Sequence, residues 1–222
     1  MHPAVAKLLS VSGDAIASPV GLDECIQYLD RYGGFGSELG ELLSVRNGFY
    51  AFESALLIRP LRHQSKPSGV VEWNDPASWK GQFIDDLADV LFFAEDVFGG
   101  QFCVRGGDIC TFDPETGAFE ALRSSLGEWA NDLMGDYEYR TGYPLAHTWQ
   151  VENTPLRQGV RLLPKIPFVC GGKYEIKNLY PVDDLDGMRF RAAIANQIRN
   201  LPDGAQIVFD VQNRQATTRT AP

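Results

Sequence analysis

Residues 87–122 constrain the fold of this chain more than any other stretch. They read LADVLFFAEDVFGGQFCVRGGDICTFDPETGAFEAL. Short apolar or alternating segments are separated by Gly-Gly, Gly-Gly and Asp-Pro-Glu-Thr-Gly, a spacing typical of strands joined by tight turns. The sequence therefore predicts an antiparallel meander. The stretch contains no nucleophile motif, phosphate-binding loop or cluster of metal ligands, which favours a surface that binds a partner over a pocket that transforms a substrate.

The Gly106-Gly107 pair predicts the register of one hairpin. Glycine at both central positions of a two-residue loop accepts the positive φ that the favoured turns require. The expected partners are Arg105 with Asp108, Val104 with Ile109, Cys103 with Cys110 and Phe102 with Thr111. Because successive strand residues alternate between faces, Phe102, Val104 and Ile109 share one face, which predicts a core there.

Apolar residues at helical spacing flank this meander. Predicted helices cover residues 22–32, 37–45 and 125–134, and predicted strands cover residues 49–52 and 55–58. Gly33-Gly34 is interpreted as the end of the first helix, and Asn47-Gly48 as the turn into the first strand. Asp75-Pro76 is typical of a further helix start. Ser125 with Glu128 three residues on forms a capping box for the last of these helices.

Residues 139–222 form a separately organised region. Two prolines exclude a helix from residues 161–167. Alternation predicts a strand over residues 173–180, a helix runs from Asp183 or Asp184 to about Asn200, and a last strand covers residues 206–211. The tail from Gln212 to Pro222 is expected to be disordered. The expected fold is α+β, with an antiparallel or mixed sheet in meander order and helices on one face (residues 1–138), and with a smaller α+β extension (residues 139–222) packed on it.

Charge is divided unevenly along the chain. Residues 1–139 hold 22 Asp and Glu against 9 Lys and Arg, a net −13, whereas residues 140–222 hold 7 against 11, a net +4. Between Glu72 and Asp96 there are seven carboxylates and only one basic side chain, Lys80. Such a field repels nucleic-acid phosphates and anionic membranes and attracts basic partners. The alternative is that this acidic surface serves solubility alone.

Cysteine usage and hydropathy argue for the cytoplasm. The four cysteines at positions 25, 103, 110 and 170 include no CxxC pair and have no histidine at finger spacing, so neither a zinc site nor another cofactor is expected. In a reducing compartment Cys103 and Cys110 are expected to stay thiols. The first residues lack the pattern of a secretory signal, and no run approaches the roughly 18 apolar residues of a membrane span.

Seven residues form the candidate partner-binding site. They are Asp85, Asp86, Asp89, Glu95, Asp96, Trp73 and Trp79. The three aspartates at 85–89 are interpreted as an acidic face, with a cation site as the alternative. Adjacent strand residues point to opposite faces, so Glu95 and Asp96 are unsuited to share a proton, and a turn at Asp96 beside Gly99-Gly100 is favoured. The two tryptophans are either core residues or exposed anchors.

Several of these passages resemble the SUKH superfamily of yeast cell-wall-assembly regulators and bacterial immunity proteins. They are the helix at residues 22–32, SELGELLSVRNGFY with its Asn47-Gly48, DVLFFAEDVFGGQFCV, DICTFDPETGAFEAL and the helix that carries Trp129. The resemblance covers roughly residues 20–138. The linker from Arg59 to Trp79 is longer than in compact members, and residues 139–211 extend beyond the minimal domain. The resemblance implies an α+β sheet fold and no enzymatic activity.

Two functional hypotheses follow. The first is a cytoplasmic, non-catalytic bacterial immunity protein that neutralises a polymorphic or contact-delivered toxin, such as a nuclease, by binding its basic domain through the acidic surface. The second is an intracellular regulatory or scaffold module, in which the opposite charges of the two regions allow self-association as a homodimer. Neither hypothesis involves nucleic acid or a membrane. A hydrolase finds no support, because no motif such as GxSxG is present.

Overall fold

The computed structural model describes residues 1–201, 205, 207–210 and 215–218. Its helices are α1 (Pro3–Ser10), α2 (Leu22–Leu29), α3 (Gly33–Val45), α4 (Val70–Trp73), α5 (Leu126–Gly135), α6 (Tyr137–Thr141), α7 (Tyr143–Glu152) and α8 (Asp184–Ile198). Its strands are β1 (Phe49–Ala51), β2 (Leu56–Ile58), β3 (Leu91–Asp96), β4 (Gln101–Arg105), β5 (Asp108–Asp113), β6 (Ala118–Arg123), β7 (Val160–Pro164), β8 (Leu179–Asp183), β9 (Ile207–Asp210) and β10 (Gln215–Thr218).

The central sheet is a six-stranded antiparallel meander. Its strands lie in the order β1-β2-β3-β4-β5-β6, which is also their order along the chain. The predicted α+β fold with a meander sheet is confirmed. The predicted register of the β4–β5 hairpin is also confirmed, since Arg105 pairs with Asp108 and Cys103 with Cys110. Short loops join β3 to β4, β4 to β5 and β5 to β6, which explains why this part of the meander could be predicted from local sequence.

Helices α1, α2, α3 and α5 cover the first face of the sheet. Their apolar residues pack in one buried cluster with Phe93, Phe102, Val104 and Ile109 of the sheet, three of which the hairpin register placed in a core. The ring of Trp129 from α5 makes edge contacts with Phe93 and Phe102 at centroid distances of 5.3 and 5.2 Å. Ser125 caps α5 through a bond from the Glu128 N–H, as predicted.

The second face of the sheet is covered by residues 73–90 and by α8. Trp73, Trp79 and Phe83 pack there with Phe92, Cys103, Cys110 and Phe112 of the sheet and with Met188, Ala192 and Ala195 of α8. All four cysteines of the chain are free thiols. The C-terminal extension therefore supplies the cover for the second face, in addition to its own hairpin of β7 and β8.

Four local predictions differ from the structure. Gly33-Gly34 begins α3 instead of ending α2, and α3 lies so close to α2 that a Cβ on Gly36 would stand 2.0 Å from the Leu29 carbonyl oxygen. Asp75 accepts a bond from the Ala77 N–H in a turn, so no α-helix begins there. Residues 173–178 are a bend and a 3-10 turn that precede β8. In the tail, residues 215–218 form β10, and the remaining positions lie outside the described residues, as do residues 202–204, which follow the predicted end of the helix at about Asn200.

The turn between β1 and β2 has an unusual backbone. Phe52, Glu53 and Ser54 all have positive φ, at 52°, 50° and 69°. Residues of the extension bind its carbonyl groups, since Gln150 donates to the Glu53 oxygen at 2.8 Å and Arg161 donates to the Ser54 oxygen at 2.8 Å. The left-handed region is costly for residues with a side chain, so these bonds hold the turn in a conformation that it would not adopt alone.

Candidate functional site

Glu95 is the centre of a buried ion network. It lies in β3 and is 0% exposed. Arg59 follows β2 and reaches one of its oxygens at 2.9 Å, while Arg161 from β7 donates to the other at 2.6 Å. Arg59 also binds Asp184, the first residue of α8, at 3.0 Å. Two cations and two anions thus balance inside the protein, and they join the meander to the extension.

The surroundings of Glu95 hold it in the charged form. Burial raises its pKa, but Arg59 and Arg161 outweigh that effect and lower the pKa to about 2. The Gln101 amide adds a hydrogen bond of 2.9 Å and in turn accepts the Trp73 indole N–H. A carboxylate with every neighbour fixed and no access to solvent cannot bind a partner. The prediction that Glu95 contacts a partner is therefore wrong.

Trp73 and Trp79 are core residues. Both are 0% exposed and their ring centroids lie 5.5 Å apart under α8. The Arg59 guanidinium stacks over the Trp73 ring at 3.4 Å. The prediction that these tryptophans bind a partner is wrong, because the extension covers the second face on which they lie. The other alternative that the sequence offered for these tryptophans, a position in the core, is the correct one.

Asp96 forms the predicted turn. Its carboxylate accepts bonds from the Phe98 and Gly100 N–H groups, each at 2.8 Å. Loss of solvation raises its pKa to about 7, against the lowering effect of the Gly100 bond and of Arg191 nearby. Arg191 from α8 donates to the Phe98 oxygen at 2.6 Å, which leaves no room for a side chain at Gly99. Asp96 and Glu95 thus have separate partners, the first in backbone N–H groups and the second in Arg59, Arg161 and Gln101.

The acidic segment at residues 84–89 is exposed except for the buried Leu87 and the half-buried Asp85. Asp86 and Asp89 are open to solvent, and Asp86 accepts the Ala88 N–H in a turn. Asp85 pairs with Arg199 at 2.7 Å, so part of its charge is neutralised. Ile84 stands 63% exposed beside them. This arrangement, an apolar side chain among carboxylates, suits contact with another protein and leaves Asp86 and Asp89 as its free acidic groups.

A groove of about 860 Å³ lies at the last strand of the meander. It is lined by β5 and β6, by α5 and α6, and by residues of the 168–174 segment. We call it the β6 groove. One wall is aromatic, since the Phe168 and Tyr174 rings stack at 3.8 Å and both meet the edge of Phe98. Tyr139 also lines the groove and is 85% exposed.

The β6 groove is predominantly acidic. Its carboxylates are Asp96, Asp113, Glu115, Glu120, Asp132 and Glu138, against three arginines. Arg123 pairs with Asp132 at 2.6 Å, and Arg191 is bound to backbone carbonyl groups. Burial raises the pKa of Tyr174 to about 12, and the negative charges of Asp96, Glu115 and Asp113 add to that rise. A cation that enters meets both carboxylates and aromatic faces, two features that bind positive charge.

Glu120 and Glu138 are the free charges of the groove. Both side chains are exposed, and neither has an ion-pair partner in the part of the chain that the structure describes. The other carboxylates have local roles, such as Glu115, which accepts the Val169 N–H at 2.9 Å. Sequence reasoning missed the groove, although one signal was available. The last strand of a meander lies at the sheet edge, so residues 118–123 could have been identified as open.

Within residues 1–201 and the described pieces that follow, no three His, Cys, Asp or Glu side chains are placed to hold a metal ion together. The same described residues include no helix with the length and apolar character that a membrane crossing requires. The arginines of the β6 groove are bound to Asp132 or to backbone carbonyl groups, so Glu120 and Glu138 remain as its unpaired charges among the described residues. Their arrangement can attract, orient and hold a basic ligand.

Comparisons with known proteins bear on the fold alone. No family model and no curated protein matches this chain. A solved structure, "Crystal structure of Atu4351 from Agrobacterium tumefaciens", is similar with a TM-score of 0.57. The similarity covers 98% of this chain and 97% of that chain at 12% sequence identity. The fold, including the extension, thus occurs in a solved protein of nearly matching extent.

Proposed function

We propose that this chain is a non-catalytic, SUKH-type immunity protein that neutralises a toxin by binding its basic domain in the cytoplasm. One observation carries the proposal. The exposed carboxylates at residues 86 and 89 and in the β6 groove make no ion pair with the described residues. All of them lie in the part of the chain that resembles the SUKH superfamily. Asp85 lies beside the β5–β6 turn, with its carboxylate 3.2 Å from the position of a Cβ atom at Gly117, so the two acidic surfaces adjoin.

Charge at these positions supports fast capture of a basic partner. Exposed carboxylates raise the association rate of an oppositely charged protein, and salt reduces the effect over about 8–10 Å. Glu95, whose charge Arg59 and Arg161 balance, and the turn-bound Asp96 do not belong to this exposed set. The opposite charges of the two regions also favour the second hypothesis, self-association, and the experiment below separates the two.

The test is growth protection. The reading frame next to this gene is expressed from an inducible promoter, alone or with this chain. We expect its protein product to stop growth when it is expressed alone and to be harmless when this chain is co-expressed. The two purified proteins should form a complex. A neighbouring frame without toxicity, or toxicity that this chain leaves unchanged, would refute the proposal. Self-association of this chain without any complex would favour the scaffold hypothesis instead.

A charge-reversal pair locates the contact. Asp86→Lys with Asp89→Lys should slow association about tenfold at low salt, and the difference should shrink as salt is added. Asp23→Lys with Glu24→Lys, at exposed positions of α2, changes the net charge equally and serves as the control. Association rates measured by stopped-flow fluorescence check this. Equal slowing by both pairs would mean that net charge alone, and no defined surface, controls binding.

A further inference from the structure

β6 is an open edge of the central sheet. It pairs with β5 on one side, and on the other side it pairs with no strand in the described part of the chain. The segment Ala118–Arg123 is mostly exposed and contains no proline or lysine, two residues that commonly protect edge strands from pairing. A six-residue edge of this kind is a template for a further strand.

The ladder shows which backbone groups are available. Hydrogen-bonded and non-hydrogen-bonded pairs alternate along antiparallel strands. The Asp113 oxygen accepts the Gly117 N–H in the β5–β6 turn, so the closing pair of Asp113 with Ala118 is the hydrogen-bonded one. The next pair, Phe112 with Phe119, is then not hydrogen-bonded, and neither is Cys110 with Ala121. The N–H and C=O groups of Phe119 and Ala121 therefore point outward.

Side chains beside this edge indicate what a seventh strand would carry. Glu120 pairs with Thr111 and lies on the first face, where the β6 groove and Glu138 are. On the second face the Phe119 ring lies under the Arg105 guanidinium at 4.3 Å. A strand that alternates basic and apolar residues would direct its cations to the groove carboxylates and its apolar side chains to Phe119.

We propose that the open edge of β6 receives an extended segment of alternating basic and apolar residues as a seventh strand. This inference rests on the proposed binding role but not on the toxin being the partner. A second copy of the chain is the less favourable occupant, because β6 against β6 brings two acidic halves and two grooves into contact, and like charges across strands repel.

The probe is a fluorescein-labelled peptide of four alternating arginine–valine pairs. The controls are a peptide of the same composition with the arginines in one block and a peptide with glutamate in place of arginine. Anisotropy should show the alternating peptide binding about tenfold more tightly than the block peptide, and no binding of the acidic one. Hydrogen exchange on the unmodified protein should show new protection at Phe119 and Ala121 but not at Glu120, whose N–H already faces β5.

Two variants at one position separate strand addition from simple charge attraction. Ala121→Pro removes an outward N–H, a change that edge strands tolerate, and should weaken the alternating peptide about tenfold or more. Ala121→Ser keeps the N–H and should change affinity less than about twofold. Glu120→Gln with Glu138→Gln should weaken binding and reduce its salt dependence.

Several results would overturn the proposal. Equal binding of the two basic peptides, or an Ala121→Pro protein that binds like the wild type, means charge attraction without a seventh strand. New protection from hydrogen exchange at residues outside β6 would mean that the peptide binds at another site. Sedimentation that shows a dimer lost in Ala121→Pro identifies a second copy as the occupant. If growth protection and peptide binding both survive Ala121→Pro, the seventh strand is refuted and the immunity role stands. If the protein binds the peptide but protects against nothing, the immunity role is refuted and the strand stands.

Discussion

Several charged side chains of this protein are fully buried, namely Glu95, Arg59 and Arg161. The partners of Glu95 come from positions 59 and 161, and the nearby Asp184 lies 125 residues from Arg59 along the chain. The sequence predicted a carboxylate at a strand end but could not identify these partners, because ion pairs between distant segments leave no local pattern. Local interactions were predictable, as the turn at Asp96 and the cap at Ser125 show.

Replacing Glu95 by Gln tests the network at the residue scale. The amide keeps the shape but leaves Arg59 and Arg161 buried without their shared anion, so the free energy of unfolding should fall by about 3–5 kcal/mol. Glu120→Gln, on the exposed face of β6, is the control and should change it by less than about 0.5 kcal/mol. Urea unfolding followed by circular dichroism measures both. Similar stability of the two variants would mean that the network contributes little.

Among the elements, the turn at Asn47-Gly48 was predicted correctly and has a clear physical basis. The Asn47 amide donates to the Ser18 oxygen and accepts the Leu61 N–H, which ties three segments together. Gly48 has a φ of +71°, and a Cβ there would lie 2.4 Å from the Pro60 nitrogen. The start of α3 at Gly33 was missed because Gly33 has the positive φ, +58°, that is typical of a helix end, yet the chain continues directly into α3. The glycine that packs closely against α2 is Gly36, which lies beside the Leu29 carbonyl oxygen.

Two glycine substitutions test this account at the element scale. Gly48→Ala and Gly106→Ala both place a side chain at positive φ, which costs about 1–2 kcal/mol. Only Gly48 also abuts backbone, since a Cβ at Gly106 would meet nothing within 4 Å. We therefore expect Gly48→Ala to lose about 1–3 kcal/mol more than Gly106→Ala in urea unfolding. Equal losses would show that the close approach to Pro60 relaxes without cost.

At the scale of the whole molecule, the extension is part of the fold. It covers the second face of the sheet with Met188, Ala192 and Ala195, and it supplies Arg161 and Asp184 to the buried network. Pattern analysis separated residues 139–222 because their composition and periodicity change there, and it expected them to pack on the first unit. The sequence could not show how much of the core these residues complete, because that depends on contacts between segments far apart in the chain.

Truncation tests this dependence. A fragment of residues 1–138 would expose Trp79 and Phe92 and would deprive the Arg59–Glu95 pair of Arg161 and Asp184. We expect it to lack cooperative thermal unfolding and to bind the dye ANS, as loosely packed states do. A fragment of residues 1–201, which keeps α8, should unfold cooperatively. Sharp, cooperative unfolding of residues 1–138 would instead establish an independent domain.

The left-handed turn at Phe52, Glu53 and Ser54 makes the β1–β2 hairpin depend on the extension. Gln150 and Arg161 bind its carbonyl groups and so stabilise three residues with side chains at positive φ. Glycine adopts the same φ at little cost. Loss of either donor should therefore harm the hairpin less when glycine occupies the turn, so the tolerance of the two regions to substitution is coupled.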